Sequence, residues 1–204
     1  MQINSLWRRL ALGLAAIIAA TLTGCVSMKP YVGAGVRDVP ASEYVKPDPS
    51  HAVQVLFDFQ TKGVDNARVT AGMKQHVFDQ IAASRLFDKV DEAPVPGGAL
   101  LIVTVNNVAL DDHAFAKGFA TGLTLGLAGT VAGDGYIATA QYTPPGTTQA
   151  ITKEVHHAIY TTIGNHDAPP NAEPAATVAE AVSKMLHQSV SNLLNDVSHD
   201  PAFK

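Results

Sequence analysis

Apolar and polar residues alternate along three stretches of the chain, with the period of two that is typical of strands with one buried face. The first stretch has its buried positions at Val53, Val55, Phe57 and Phe59. The other two, 136–143 and 151–163, flank the turn Pro144-Pro145-Gly146. We therefore predict a strand from Val53 onward and, near the C-terminal half, a β-hairpin with a longer loop.

Two further stretches carry apolar residues at three- and four-residue spacing, the pattern of a helix that buries one face. The first stretch follows Asp65 and Asn66, either of which can cap a helix, and it ends near Ser84. In the second, Thr177 and Glu180 have the spacing of a capping box. A helix is predicted in each stretch.

A continuous apolar run spans Ala99 to Ala109 and is apolar at both alternating sets of positions. Such a run is typical of a central strand that is covered on each side. The order of predicted elements is strand, helix, strand fragment, strand, glycine-rich segment, hairpin and helix. This order predicts an α+β fold, with two helices packed on one face of a mostly antiparallel sheet, in a single domain over residues 51–204.

The only cysteine of the chain ends a short apolar run that begins after Arg8 and Arg9. Thirteen residues, Leu10 to Leu22, are too few for a helix that spans a bilayer, and the layout is that of a signal peptide. An uncleaved N-terminal anchor is the alternative. The last residues of the run, Leu22-Thr23-Gly24-Cys25, match the lipobox, so the chain resembles bacterial lipoproteins.

This resemblance implies that residues 1–24 are removed by cleavage between Gly24 and Cys25, and that Cys25 carries diacylglycerol and palmitate. The next residues are Val26 and Ser27, where signals for inner-membrane retention usually have Asp. The resemblance therefore implies a lipid-anchored protein of the outer membrane that faces the periplasm.

Residues 25–50 contain four prolines, at positions 30, 40, 47 and 49. Because proline lacks a backbone donor and stiffens the chain, the segment is predicted to be a lipidated tether. An ordered arm packed across the domain is the alternative, supported by apolar residues such as Tyr31 and Tyr44.

A glycine-rich apolar segment spans residues 114–135, and no charged residue occurs between Gly118 and Gly133. Its first three glycines are four residues apart, so on a helix they would share one face and admit a close neighbour. Two interpretations are open: a buried helix or loop, and a surface segment that contacts the membrane or neighbouring protomers. A ligand-binding glycine loop is disfavoured, because the segment lacks the Lys-Ser/Thr of a phosphate loop and the spacing of G-x-G-x-x-G. For the surface segment, the candidate contact residues are Gly118, Gly122, Gly126, Phe119, Leu123 and Leu127.

Charge and sequence motifs argue against nucleic-acid binding, catalysis and metal binding. The chain has 14 Lys and Arg against 18 Asp and Glu, without basic clusters, which argues against nucleic acid as a partner. No G-x-S-x-G motif is present, and the adjacent His156 and His157 would point to opposite faces of a strand. We expect no catalytic residue, no cofactor and no metal site.

The domain is also similar, in its order of elements, to small α+β domains of envelope lipoproteins. Examples are the curli-secretion lipoprotein and the N-terminal domain of the Tol-system β-propeller protein. The similarity covers the strand 53–59, the helix leading to Ser84-Arg85-Leu86-Phe87, and the strand from Leu100. The leading hypothesis is a non-catalytic assembly or structural/interaction factor of the envelope, whose partner is an envelope protein or further copies of the same chain. The alternatives are a lipoprotein that binds a small molecule or peptide, and a protomer of an oligomeric membrane-associated pore.

Overall fold

The computed structural model describes residues 28–110, 131–164 and 167–203. In this part of the chain eight strands and two helices form an α+β fold, which confirms the predicted class. The strands are β1 (Met28–Val32), β2 (Val53–Thr61), β3 (Val64–Asp65), β4 (Val90–Asp91), β5 (Ala99–Ala109), β6 (Val131–Thr143), β7 (Ile151–Ile163) and β8 (Glu173–Pro174). The helices are α1 (Ala67–Ala83) and α2 (Val178–Ser198).

The strands form one sheet in the order β3-β2-β5-β6-β7-β1-β8, and β4 pairs with the outer side of β2. The pairings of β2 with β4 and with β5 are parallel, whereas the other pairings are antiparallel. Helix α1 packs on β2, α2 packs on β6, β7 and β1, and the two helices contact each other. The predicted mostly antiparallel sheet with both helices on one face is therefore confirmed.

Strand β5 lies in the middle of the sheet, as its apolar run predicts. Leu101, Val103 and Val105 are buried beneath the helices. The prediction of cover on both sides was wrong, because Leu100 and Ile102 on the other face are only half-buried. Both helices lie on one side of the sheet, which leaves the second face of this strand partly open.

Local signals set the helix starts. The side chain of Asn66 accepts a hydrogen bond from the Val69 amide at 3.2 Å and begins α1. At the start of α2 the Glu180 amide donates to the Thr177 hydroxyl at 3.1 Å, while the Glu180 carboxylate accepts from the Ala176 amide at 2.9 Å. The predicted capping box is present, with the carboxylate bound one residue before the cap.

The segment predicted as a tether is part of the folded domain from Met28 onward. Strand β1 pairs antiparallel with β7, from Met28 opposite Ile163 to Val32 opposite Ile159. This pairing agrees with the ordered-arm alternative, because Met28 is already part of the sheet.

After β1 the arm crosses the outer side of α2 and is bound by polar side chains of that helix. The Val39 amide donates to the Ser191 hydroxyl at 3.1 Å, and the Val45 amide donates to the Ser198 hydroxyl at 3.2 Å. The two serines and Val39 are buried. Helix α2 is consequently covered by the sheet on one side and by the arm on the other.

Candidate functional site

The residues predicted to carry the lipid and to make contacts lie outside the described part of the chain. They are Gly24, Cys25, Gly118, Gly122, Gly126, Phe119, Leu123 and Leu127. Their described neighbours are Met28, which comes three positions after Cys25, and Leu110 and Val131, which flank residues 111–130. The positions of these neighbours show where both segments join the fold.

Strand register brings these neighbours to one end of the sheet. Met28 is paired with Ile163, Val131 with Thr162, and Ala109 with Asp134. The chain therefore enters the sheet, leaves β5 and returns to β6 at the same end. We call it the Met28 end, and we call the opposite end, where β6 finishes and β7 begins, the Tyr142 end.

Helix α2 also starts at the Met28 end. Strand β8 runs antiparallel to β1, with Pro174 opposite Tyr31, and the Ala175 amide donates to the Pro30 carbonyl at 3.0 Å. The chain is then heading along β1 toward Met28 when α2 begins at Val178. The N-terminus of α2 therefore lies at the Met28 end, together with the strand ends.

Large apolar side chains at this end are unusually exposed. Met28 is 63% exposed, Val178 is 55% exposed and Ile163 is 42% exposed. In the described part of the chain six large hydrophobic side chains are exposed. Four of the six belong to the Met28 end, the fourth being Val64 on the edge strand β3 at 69%. Exposed apolar patches mark surfaces that meet a partner or a membrane, and this end of the domain is the candidate for such a surface.

A second apolar cluster lies near the same end, on the face of the sheet away from the helices. Its buried members are Val108, Ala158 and Tyr160, with Tyr31, Leu110, Val131 and Ile137 packed around them. Burial raises the pKa of the Tyr160 hydroxyl to about 12. Sequence reasoning missed this cluster, because its members come from four strands whose pairing the periodicity does not reveal.

Glycine makes close packing in this cluster feasible. A Cβ at Gly133 would lie 2.0 Å from the Cδ1 atom of Leu110, and one at Gly33 would lie 3.0 Å from the Ala158 carbonyl oxygen. The glycine at 133 was grouped with the glycine-rich segment in the sequence. It belongs to β6, where it leaves room for the Leu110 side chain that crosses it.

The Tyr142 end is closed by aromatic rings. Nε2 of His51 lies 2.5 Å from the hydroxyl oxygen of the fully buried Tyr142. The ring centroids of Tyr142 and Phe203 are 4.9 Å apart, and those of Phe87 and Phe203 are 6.1 Å apart. Phe203 is only 7% exposed, so the last residues of the described chain form a cap over this end.

An ion pair joins β7 to the chain after α2 at the same end. Nζ of Lys153 is 2.7 Å from a carboxylate oxygen of Asp200, and this contact lowers the pKa of Asp200. Beside it an open groove of about 540 Å³ is lined by residues such as Pro144, Ile151 and Asp200. The groove is shallow and open to solvent.

The adjacent histidines point to opposite faces, as their strand position predicts. Nε2 of the buried His157 lies 2.8 Å from Oε1 of Gln188, and burial lowers the pKa of His157. Nε2 of His156 lies 2.5 Å from a carboxylate oxygen of Glu154. Within residues 28–110, 131–164 and 167–203, no three His, Cys, Asp or Glu side chains are arranged to bind a metal. Neither described helix combines the length and the apolar character needed to cross a bilayer.

Comparison with known proteins finds similar folds and no family. The sequence matches no protein-family model and no curated protein. A structure of the PelC dodecamer from Paraburkholderia phytofirmans aligns with 86% of this chain and 99% of its own, at 9% identity and a TM-score of 0.36. Rare lipoprotein B from Shewanella oneidensis aligns with 72% of this chain and 92% of its own, at 10% identity and a TM-score of 0.36. At these TM-scores the likeness carries no argument about the function of this chain.

Proposed function

We propose that the protein is a lipoprotein of the bacterial outer membrane, anchored through Cys25 and facing the periplasm, where it serves as a non-catalytic assembly or interaction factor. The observation that carries the proposal is the position of β1 directly after the lipobox. Met28 is already in the sheet, three residues after Cys25. A lipid on Cys25 would therefore hold a folded domain and not a loose tail.

The distance from the lipid follows from chain geometry. An extended chain advances at most about 3.6 Å per residue, so Met28 lies within about 11 Å of Cys25. Acyl chains contribute about 0.8 kcal/mol per buried methylene, so several chains on one residue anchor a protein firmly without a spanning helix. The domain would then stand at the membrane surface, with its Met28 end nearest the lipid.

The non-catalytic part of the proposal is supported by how the fold uses its polar side chains. His157 binds Gln188, while Ser191 and Ser198 bind the backbone of the arm. These contacts satisfy groups that would be costly to bury alone. In the described residues these side chains hold the fold together. We expect the protein to act through contacts made by its surface.

The test is the intact mass of the protein extracted from membranes, with Cys25→Ala as the matched control. We expect a mature mass that begins at Cys25 and includes acyl chains, and loss of the acyl mass in the control. A wild-type mass that retains residues 1–24 would contradict the proposal.

Separation of inner and outer membranes tests the destination. We expect the wild type in the outer membrane and a Val26→Asp variant in the inner membrane, because Asp at this position resembles the retention signal. Val26→Asn is the control of similar size without the charge. Wild-type protein in the inner-membrane fraction would contradict the outer-membrane assignment.

A further inference from the structure

We propose that the Met28 end of the sheet is itself a membrane-contact surface, on which Met28, Ile163 and Val178 lie in the interfacial layer of the bilayer. The strands then stand end-on to the membrane. This inference rests on the proposed lipid anchor and extends it, since it assigns a lipid contact to the folded domain as well as to Cys25.

The three side chains belong to three elements that share the Met28 end. Met28 and Ile163 are register partners on adjacent strands. Alternation from Val32 and Ile159, which both belong to the helix-side core, puts Met28 and Ile163 on that same side of the sheet. Val178 is the first residue of α2 and lies at this same end. Strands β1 and β7 and helix α2 thus each contribute one exposed apolar side chain to the Met28 end.

The proposed lipid anchor places the Met28 end next to the bilayer. Met28 lies within about 11 Å of the acylated residue, and surface-bound apolar groups enter the headgroup and acyl boundary by about 5–10 Å. The Tyr142 end is farther away by the length of β7, which has 13 residues and spans roughly 40 Å at 3.3 Å per residue. Of the two ends of the sheet, the Met28 end is the one within reach of the bilayer.

The apolar character continues on the other face of the sheet at the same end. Tyr31, Leu110 and Val131 are half-buried there. Tyrosine is enriched at membrane interfaces because its ring is apolar and its hydroxyl is wet.

Charge does not account for the contact. Among the described residues, the exposed charges at this end include the cations Lys29 and Lys62 and the anions Asp65, Asp134 and Glu180. Because no cationic excess is present among them, attraction to anionic lipids is not the main driving force. We expect the contact to form on zwitterionic lipids and to change little with salt, unlike a screened electrostatic attachment.

Tryptophan fluorescence offers a direct test. Trp7 is the only tryptophan of the chain, and it is removed with residues 1–24, so an introduced tryptophan is a unique reporter. The test uses the acylated full-length product of Ile163→Trp, and of Met28→Trp as a second position, in phosphatidylcholine vesicles with brominated acyl chains. Val45→Trp is the matched control, because Val45 is 48% exposed and is bound at the C-terminal part of α2.

We expect brominated lipid to quench the reporters at positions 163 and 28 and to shift their emission to shorter wavelength, while the reporter at position 45 is unaffected. Equal quenching at all three positions, or none at 163 and 28, would overturn the inference. A blue shift that depends on protein concentration, without quenching by lipid, would also overturn it and would identify a second copy of the chain as the occupant.

Intact mass of the same samples separates the two proposals. Acylated protein whose reporter at 163 is not quenched would refute the membrane contact and leave the anchor intact. Protein without acyl chains would refute the anchor, and the membrane contact would fall with it.

Discussion

The two ends of the sheet differ in how far their apolar side chains are buried. At the Tyr142 end, rings from separate parts of the chain pack on one another, and Tyr142 is fully buried. At the Met28 end, the side chains of Met28, Ile163 and Val178 are exposed. Among the described residues, the Tyr142 end is closed by packed rings, whereas the Met28 end has apolar side chains that are exposed.

The two ends therefore have different roles: the Tyr142 end contributes to stability, and the Met28 end is available for interaction. Burial of aromatic rings at the Tyr142 end contributes to folding, because apolar surface leaves water when the chain folds. The exposed residues of the Met28 end lose little water on folding, so they contribute little to stability. Their apolar area is available for a surface outside the chain, and in the proposed arrangement that surface is the bilayer.

The largest effect is expected from opening the closed end. Tyr142→Ala should lower the free energy of unfolding by about 3–5 kcal/mol, since truncating a buried aromatic residue removes its packing and leaves a cavity. Tyr142→Phe keeps the ring and loses only the hydrogen bond with His51, which predicts a loss of about 1 kcal/mol. Urea unfolding of both variants measures the difference. Equal losses would mean that the hydroxyl, not the ring, closes this end.

A smaller effect is expected from crowding the cluster at the Met28 end. Gly133→Ala places a Cβ against the Leu110 side chain, and overpacking of this kind costs about 1–3 kcal/mol. Gly72→Ala is the control: no atom lies within 4 Å of the added Cβ, and alanine is favoured in a helix by about 0.5–1 kcal/mol. Urea unfolding should therefore show opposite signs for the two changes. A neutral Gly133→Ala would show that Leu110 moves aside freely.

The smallest effect at neutral pH is expected between the two ends, at His157. Burial lowers the pKa of this side chain in the folded protein, so below the unfolded value of 6.5 the unfolded chain binds the proton more readily. The free energy of unfolding should therefore decrease as the pH falls through 6.5. His157→Gln should weaken this dependence, and His76→Gln, on the exposed side of α1, controls for the loss of a histidine. Thermal melts between pH 8 and pH 5 measure it, and an unchanged slope in His157→Gln would contradict the assignment.

Much of the fold could be predicted because its signals are local. Asn66 caps α1, Thr177 caps α2, and β5 spans the same residues, Ala99–Ala109, as the apolar run. Side-chain period and capping chemistry act within a few residues, so they can be read from the chain in order. The hairpin of β6 and β7 was also predictable, because the turn residues Pro144-Pro145-Gly146 lie between its strands.

The arm could not be assigned in this way. Its contacts with Ser191 and Ser198 join residues about 150 positions apart, and nothing near Val39 or Val45 in the sequence marks them. In the sequence, the serines on α2 look like ordinary polar residues between the apolar residues of an amphipathic helix. Only the folded protein shows that they accept hydrogen bonds from the Val39 and Val45 amides of the arm.

The sequence by itself determined the lipobox, the type of each main element and the apolar glycine-rich segment, because each depends on neighbouring residues. The tertiary structure alone decided that Met28, Leu110, Val131 and Val178 meet at one end of the sheet. The physical reason is strand register: which residue of β1 faces which residue of β7 is set by pairing and packing between distant segments, and a short pattern does not encode it.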